Sequence, residues 1–171
     1  TKPDADESDE ESAGHRFWHW FAVFNEGDKS AKLPVLWKVH VEDVVKKTKE
    51  ILANLPLDEE LQKAIIIAAE FHDHGKKRKV FQTVLGNTQY PQVCLAKSGK
   101  LGGRVNEVYR HEFGSLLDVK KEPEFLALTE DQQDLVLHLI AAHHGRARPH
   151  FPADEAFDPE GTPDKDSRVA S

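Results

Sequence analysis

The sequence predicts an all-α domain, and three observations support this. Apolar residues recur at three-and-four spacing in residues 37–55 and again in residues 59–74, which is typical of amphipathic helices. The segment Thr129-Glu130-Asp131-Gln132 has the form of a capping box that opens a further helix. The chain shows no internal repeat and no alternation of strand and helix patterns. We therefore expect a helical bundle with long loops and flexible acidic ends.

The composition is that of one globular domain. Its 171 residues are enough to bury a core without disulfide bonds, and Cys94 is the only cysteine. No apolar run has the length needed to span a membrane, and none resembles a signal peptide. A reducing compartment suits such a chain. We expect a cytoplasmic protein without a membrane partner.

The net charge of -7 is unevenly distributed. Residues 1–12 carry -5 and residues 152–171 carry -4, whereas residues 13–151 carry +2. The acidic total therefore does not exclude a phosphate-rich substrate. Single surface charges are usually only solvated. Basic residues recur beside several histidines, however, and this recurrence predicts substrate binding by Lys76, Lys77, Arg78, Arg110, Arg146 and Arg148.

The predicted elements of the first half follow an acidic segment. Residues 1–14 lack periodicity and indicate a disordered linker. The aromatic run 17–24 could form a helix or a strand, and its pattern does not decide between them. Residues 37–55 are predicted to form a helix with His40 on its apolar stripe.

The second predicted helix covers residues 59–74. Asp58 is a plausible N-cap, His72 is in phase with the apolar residues, and Gly75 follows as a residue suited to end the helix.

The second half of the chain contains two more predicted helices. Residues 104–118 have a helical pattern that includes His111. The helix opened by Thr129 continues to His143, and Gly145 ends it. The remaining segments are predicted to be loops, namely residues 76–103 and 146–171.

The histidines are the most informative residues of the chain. Neutral imidazoles and carboxylates bind first-row divalent metals, and four segments contribute such side chains: His40, His72-Asp73, His111 and His143-His144. One histidine on an apolar stripe is more often a core residue, but His72 and His143 are each followed directly by a second potential ligand. For Asp73, a salt bridge to Lys76 or Arg78 is the structural alternative. A purely structural zinc site is less favoured because cysteine is absent from these segments.

These motifs resemble a known family. The segment His72-Asp73-His74-Gly75-Lys76 matches the H-D-x-G-K signature of the HD-domain metal-dependent phosphohydrolases. With upstream His40, Arg110-His111-Glu112 and Ala141-Ala142-His143-His144-Gly145, the pattern resembles the HD nuclease domain of the type I CRISPR-associated helicase–nuclease over roughly residues 17–151. The resemblance implies an HD-domain helical bundle.

The resemblance also implies a site for two divalent ions. One ion would be held by His40, His72 and Asp73. The other would be held by His111, His143 and His144, with Asp73 as the bridging ligand. Lys76 would contact a substrate phosphate, so the implied catalytic residues are Asp73 and Lys76. A histidine-rich shell favours manganese, iron, cobalt or nickel, with magnesium possible.

The family pattern includes one more ligand, an aspartate on a final helix after the paired histidines. Asp158, Asp164 and Asp166 lie in a segment without a helical pattern, and none of them is a favoured candidate. We therefore expect three parts: a linker at 1–14, a nuclease domain at 15–151, and a tail at 152–171 that is truncated before that final helix.

The leading hypothesis is a nuclease that cuts single-stranded DNA in CRISPR interference. Its implied partners are a helicase domain, in cis or in trans, and a CRISPR effector complex. One alternative is an HD phosphohydrolase acting on nucleotides, which needs an enclosed pocket. A second alternative is a non-catalytic docking module in which metal serves only stability.

Overall fold

The structure, a computed structural model, describes residues 33–99 and 109–145 together with residues 158 and 160. Most of the described chain is helical, which confirms the predicted all-α class. The elements are, in chain order, β1 (Val35–Leu36), α1 (Trp37–Leu52), α2 (Glu59–Phe71), a 3-10 helix (His74–Lys77), α3 (Lys79–Val84), β2 (Leu95–Lys97), α4 (His111–Val119), α5 (Pro123–Leu126) and α6 (Glu130–Ala142).

The core lies between α2, α4 and α6, with α5 closing one end. Helix α2 packs along α6, α4 packs against the 3-10 helix, and α1 lies on the other side of α2. Burial of apolar side chains is the main favourable term that holds such a bundle together. The completely buried members of this cluster are Ala64, Val136 and Ile140 on α2 and α6 and Val119 on α4. The described core thus packs together α2, α4 and α6, the helices whose ends carry most of the predicted ligands.

Two helices begin as predicted because a side chain satisfies their free backbone amides. Asp58 Oδ1 accepts a hydrogen bond of 2.7 Å from the backbone amide of Leu61 at the start of α2. At the start of α6 the hydroxyl of Thr129 accepts from the amide of Gln132, and the side chain of Gln132 accepts from the amide of Thr129. Both bonds of the predicted capping box are therefore present.

Helix α1 is shorter and more exposed than predicted. It ends at Leu52 rather than at Leu55, and Leu52 is its buried apolar residue. Ile51, a residue of the predicted stripe, is about half exposed, at 52%. Within the described residues, α1 packs mainly on α2 and on the small sheet, so most of its stripe is only partly covered.

The end of α2 also differs from the prediction. The helix ends at Phe71, and Gly75 lies within the 3-10 helix with a backbone angle that is not left-handed. Gly75 is therefore not a helix-ending glycine of the kind expected. Gly145, in contrast, has a φ of 74° after α6, which confirms the predicted end of that helix.

The predicted loop 76–103 contains regular structure. It includes part of the 3-10 helix, α3, and β2, which pairs antiparallel with β1. Its organiser is Gln82, which is 1% exposed. The side-chain Nε2 of Gln82 donates to the backbone carbonyls of Lys76 and Leu95, at 2.6 and 2.9 Å. Its side-chain Oε1 accepts from the backbone amide of Leu95 at 3.0 Å. This segment is held together by the hydrogen bonds of a buried polar side chain rather than by a row of apolar ones. Its sequence therefore shows no apolar periodicity, and a loop was predicted.

Helix α4 begins at His111, since Arg110 has an extended backbone with φ of -100° and ψ of 105°. This corrects the predicted start at 104, and residues 104–108 lie outside the described residues. Outside them too lie the predicted linker 1–14, the aromatic run 17–24 and, except for residues 158 and 160, the tail 146–171. In the described part of the chain, every helix is too short or too polar to cross a membrane.

Candidate metal centre

The predicted ligands come together around one carboxylate. Asp73 follows α2 and is 1% exposed. Its Oδ2 lies 3.0 Å from Nε2 of His40 on α1 and 3.4 Å from Nε2 of His72. Its Oδ1 lies 3.2 Å from Nε2 of His111 at the start of α4 and 3.6 Å from Nε2 of His143 after α6. Three helix ends and one helix face therefore meet at Asp73.

These side chains form two groups that share Asp73. In one group the ligand atoms of His40, His72 and Asp73 all lie within 4.8 Å of one another, and in the other the same holds for Asp73, His111, His143 and His144. Nε2 of His111 lies 3.3 Å from Nε2 of His143 and 3.2 Å from Nε2 of His144. All six ligands predicted from the sequence thus belong to one of the two groups.

In two histidines, the hydrogen bond of Nδ1 (the outer nitrogen, facing away from Asp73) determines whether Nε2 (the inner nitrogen, facing Asp73) carries a proton. Nδ1 of His72 lies 2.8 Å from the carbonyl oxygen of Ala69, and Nδ1 of His143 lies 2.6 Å from that of Ile140. A carbonyl oxygen can only accept, so each Nδ1 carries the proton. In the neutral ring Nε2 is then unprotonated and directs a lone pair towards Asp73. Two acceptors facing each other repel unless a cation lies between them.

Asp73 gives an independent indication of the same kind. Both carboxylate oxygens are buried. The ammonium of Lys76 lies 2.9 Å from Oδ2, and no well-aligned hydrogen bond reaches Oδ1 among the described residues. A buried charge without such partners is costly. Divalent cations bound by imidazole nitrogens and this carboxylate would remove both the repulsion and that cost. The donor set of the centre therefore fits first-row divalent metals.

The charge states of the centre suit metal ligands. Burial by itself would raise the pKa of Asp73, but the polar side chains around the carboxylate hold that pKa well below its usual range. Burial lowers the pKa of His111, although Asp73 partly opposes this. At neutral pH the centre therefore combines an ionised carboxylate with a neutral imidazole, the forms that bind metal.

Two residues hold Asp73 in place from outside the groups. Nζ of Lys76 lies 2.9 Å from Oδ2 of Asp73, and Lys76 is 2% exposed. The indole Nε1 of Trp37 donates a 2.8 Å hydrogen bond to the backbone carbonyl of Asp73. The bond joins positions 36 residues apart, so the apolar pattern of residues 37–55 did not indicate it.

A tight packing contact connects the 3-10 helix to α4. The hydroxyl of Ser115 accepts from the amide of Gly75 at 2.8 Å and donates to the carbonyl of His72 at 3.0 Å. The hydroxyl of Tyr109 donates to the carbonyl of Gly75 at 3.0 Å. A Cβ atom on Gly75 would overlap the backbone carbonyl of His111. Gly75 is thus required for the approach of His111 to Asp73.

Within the described residues, the basic side chains predicted to bind substrate contact other groups of the protein. Lys77 is half-buried, with Nζ 4.6 Å from the centre of the Trp37 ring. Arg78 makes paired hydrogen bonds to Asp118 and to Asp158. Arg110 donates to Glu112 at 2.9 Å. These pairs leave Arg78 and Arg110 little capacity for a phosphate while they persist. Two further candidates lie outside the described residues, Arg146 and Arg148.

Two other residues of ligand type, His74 and Asp158, lie outside the metal groups. His74 lies between the rings of Phe71 and Trp37, at centroid distances of 4.1 and 5.0 Å, and burial lowers its pKa to about 4. Asp158, considered as a distal ligand, is 1% exposed in its side chain and binds Arg78. Among the described residues no aspartate besides Asp73 joins either group.

Comparison with protein families agrees with this geometry. Residues 10–168 match the family model described as Cas3, HD domain. The chain belongs to the Cas3 HD domain family. No curated protein and no solved structure matches the chain.

Membership in the Cas3 HD domain family confirms the resemblance inferred from the motifs. It implies a metal-dependent nuclease of the CRISPR Cas3 type, and in this Cas3 HD domain the clustered histidines and Asp73 are residues that could hold metal.

Proposed function

We propose that this domain is a metal-dependent nuclease that cuts single-stranded DNA in CRISPR interference, with a helicase that supplies the strand. The observation that carries the proposal is the position of Asp73. Its carboxylate is buried and lies within 3.6 Å of four imidazole nitrogens contributed by α1 and by the ends of α2, α4 and α6. An arrangement of that kind is stable when cations separate the acceptors, and the family match supplies the reaction class.

The proposed site holds two ions with Asp73 as the shared ligand. One ion would be bound by His40, His72 and Asp73, and the other by Asp73, His111, His143 and His144. Imidazole-rich ligand sets favour manganese, iron, cobalt or nickel over magnesium. When bound, two such cations activate a water molecule and stabilise the leaving oxygen of a phosphodiester.

The residues of this chain would then position the DNA backbone. Lys76 is buried against Asp73, so its ammonium reaches a phosphate only at the centre itself. The access to the centre supports a polymer substrate, because the side chains of His40 and His143 are 21% and 18% exposed and His144 is exposed among the described residues. A nucleotide phosphohydrolase would enclose its substrate.

The decisive experiment compares DNA and nucleotides as substrates. The purified chain is incubated with Mn²⁺ and circular single-stranded DNA, linear single-stranded DNA, or a panel of nucleoside mono-, di- and triphosphates. We expect cleavage of DNA in preference to nucleotides and loss of cleavage in Asp73→Asn. His138→Gln is the matched control, since His138 is an exposed histidine on α6 outside both groups.

Two results would contradict the proposal. Release of phosphate from nucleotides with intact DNA would favour the phosphohydrolase alternative. Intact DNA and intact nucleotides with every metal, combined with a lower melting temperature after chelation, would favour a docking module that uses metal for stability.

A further inference from the structure

The imidazole of His111 lies between two carboxylates. Its Nε2 points to the centre, 3.2 Å from Oδ1 of Asp73. Its Nδ1 lies on the opposite side of the ring, 3.4 Å from Oε2 of Glu112. The Glu112 side chain is 3% exposed, and its other oxygen, Oε1, accepts a 2.9 Å hydrogen bond from Arg110. The guanidinium therefore fixes the carboxylate beside the outer nitrogen of His111.

The groups that face the outer nitrogens of His72 and His143 differ in charge from the group that faces the outer nitrogen of His111. The outer nitrogens of His72 and His143 face backbone carbonyls, which are neutral acceptors. The outer nitrogen of His111 faces a carboxylate. A carboxylate acceptor makes the imidazole more basic and its inner nitrogen a stronger metal ligand than a carbonyl does. Only one of the two metal groups includes His111.

We propose that Glu112 is a positioning residue that strengthens one of the two ion positions, the one formed by Asp73, His111, His143 and His144. This inference rests on the proposed two-metal function. Glu112 would hold the Nδ1 proton of His111 and so keep Nε2 available to metal. The two positions would then differ in affinity because of a residue that touches neither ion.

A purely structural role for Glu112 makes a different prediction. Glu112 lies in the first turn of α4, where an acidic side chain interacts favourably with the helix dipole, and it pairs with Arg110. Loss of that role would lower the free energy of unfolding of the metal-free chain together with the affinity of the His111 position. A weaker His111 position without a change in that free energy, measured by urea unfolding with a chelator, therefore separates the positioning role from the structural one.

The test is a titration of the metal-free chain with Mn²⁺ by calorimetry. The variants are Glu112→Gln, which keeps the shape but removes the charge, and Glu124→Gln, an exposed glutamate on α5 as matched control. His40→Ala removes a ligand of the other position and so assigns the two binding phases. We expect Glu112→Gln to weaken the His111 phase about 10- to 100-fold and to change the other phase far less.

The possible outcomes separate this inference from the proposed function. Two binding phases in the wild-type chain that both remain unchanged, or both weaken equally, in Glu112→Gln would overturn the role of Glu112 alone. A wild-type chain that binds no Mn²⁺ would overturn the two-metal function and this inference with it.

If Glu112→Gln fails to fold, the wild-type chain loaded with Zn²⁺ provides the answer. The Nδ1 proton of His111 is then expected as a downfield, slowly exchanging proton resonance that correlates with a histidine nitrogen. An Nδ1 proton that exchanges rapidly with solvent would overturn the inference, because a proton shared with a buried carboxylate is protected.

Discussion

Nζ of Lys76 lies 2.9 Å from Oδ2 of Asp73, and both residues are at most 2% exposed. The ammonium offsets one negative charge in the interior, whereas the unprotonated nitrogens around Asp73 offset none. Lys76 thus provides one positive charge beside Asp73, and the proposed function adds two metal ions to it. This pair connects the stability of the domain to its chemistry.

We expect Asp73→Asn to abolish Mn²⁺ binding at both positions. In the metal-free chain it should also lower the free energy of unfolding by up to about 3–5 kcal/mol, because Lys76 becomes a buried charge without its carboxylate. The double variant Asp73→Asn/Lys76→Met should recover most of that stability but not metal binding. Urea unfolding with a chelator measures the first effect and calorimetry the second. Metal binding by the double variant would disprove the central role of Asp73.

Gly75 and His111 lead to a prediction about packing. We expect Gly75→Ala to cost about 1–3 kcal/mol and to weaken metal binding, because its Cβ would displace the backbone of His111. Gly86→Ala is the matched control, since Gly86 has a φ of 67° and a Cβ added there would meet no atom within 4 Å. That variant should cost about 1–2 kcal/mol through backbone strain and leave metal binding unchanged. Equal metal affinity in both variants would argue against the packing role of Gly75.

Arg78 is expected to anchor residue 158 to the domain. Arg78→Gln should lower the free energy of unfolding by about 3–5 kcal/mol, because it strands the carboxylates of Asp118 and Asp158. Asp158→Asn should cost less, about 1–3 kcal/mol, since Asp118 keeps its paired bonds to Arg78. Urea unfolding measures both values. The exposed Lys79→Gln should change stability by less than about 0.5 kcal/mol. A change of less than about 0.5 kcal/mol in the free energy of unfolding of Arg78→Gln would show that Arg78 does not anchor residue 158.

His74 makes the stability of the metal-free chain depend on pH. Burial lowers its folded-state pKa to about 4 from 6.5. Between these values the unfolded chain binds more protons than the folded one, so the free energy of unfolding falls as the pH falls. The contribution is fully present above pH 6.5 and is lost towards pH 4, at most roughly 2–3 kcal/mol for this partly exposed ring.

The check is urea unfolding of the metal-free chain from pH 7.5 to 4. We expect His74→Gln to flatten the pH dependence and His138→Gln, an exposed control on α6, to leave it as in the wild type. Identical curves for His74→Gln and the wild type would refute the assignment.

Much of the fold and of the candidate site was predictable because the signals are local. The caps Asp58 and Thr129 bind amides three residues away, so their pattern alone located two helix starts. The predicted ligands are also recognisable by residue type and order along the chain. In contrast, Gln82 organises the segment 76–97 through polar bonds, and such bonds leave no apolar period for a sequence to show.

The sequence by itself determined the helical class, the two capped helix starts and which histidines accompany Asp73. Only the tertiary structure decided that Lys76 and Arg78 face carboxylates inside the protein, that Gly75 makes room for His111, and that Glu112 lies behind that imidazole. The physical reason is the range of the forces involved. Helix periodicity and capping act within a few residues of the chain, whereas charge pairing and close packing depend on distance in space. Residues far apart in sequence come within contact distance only when the helices pack.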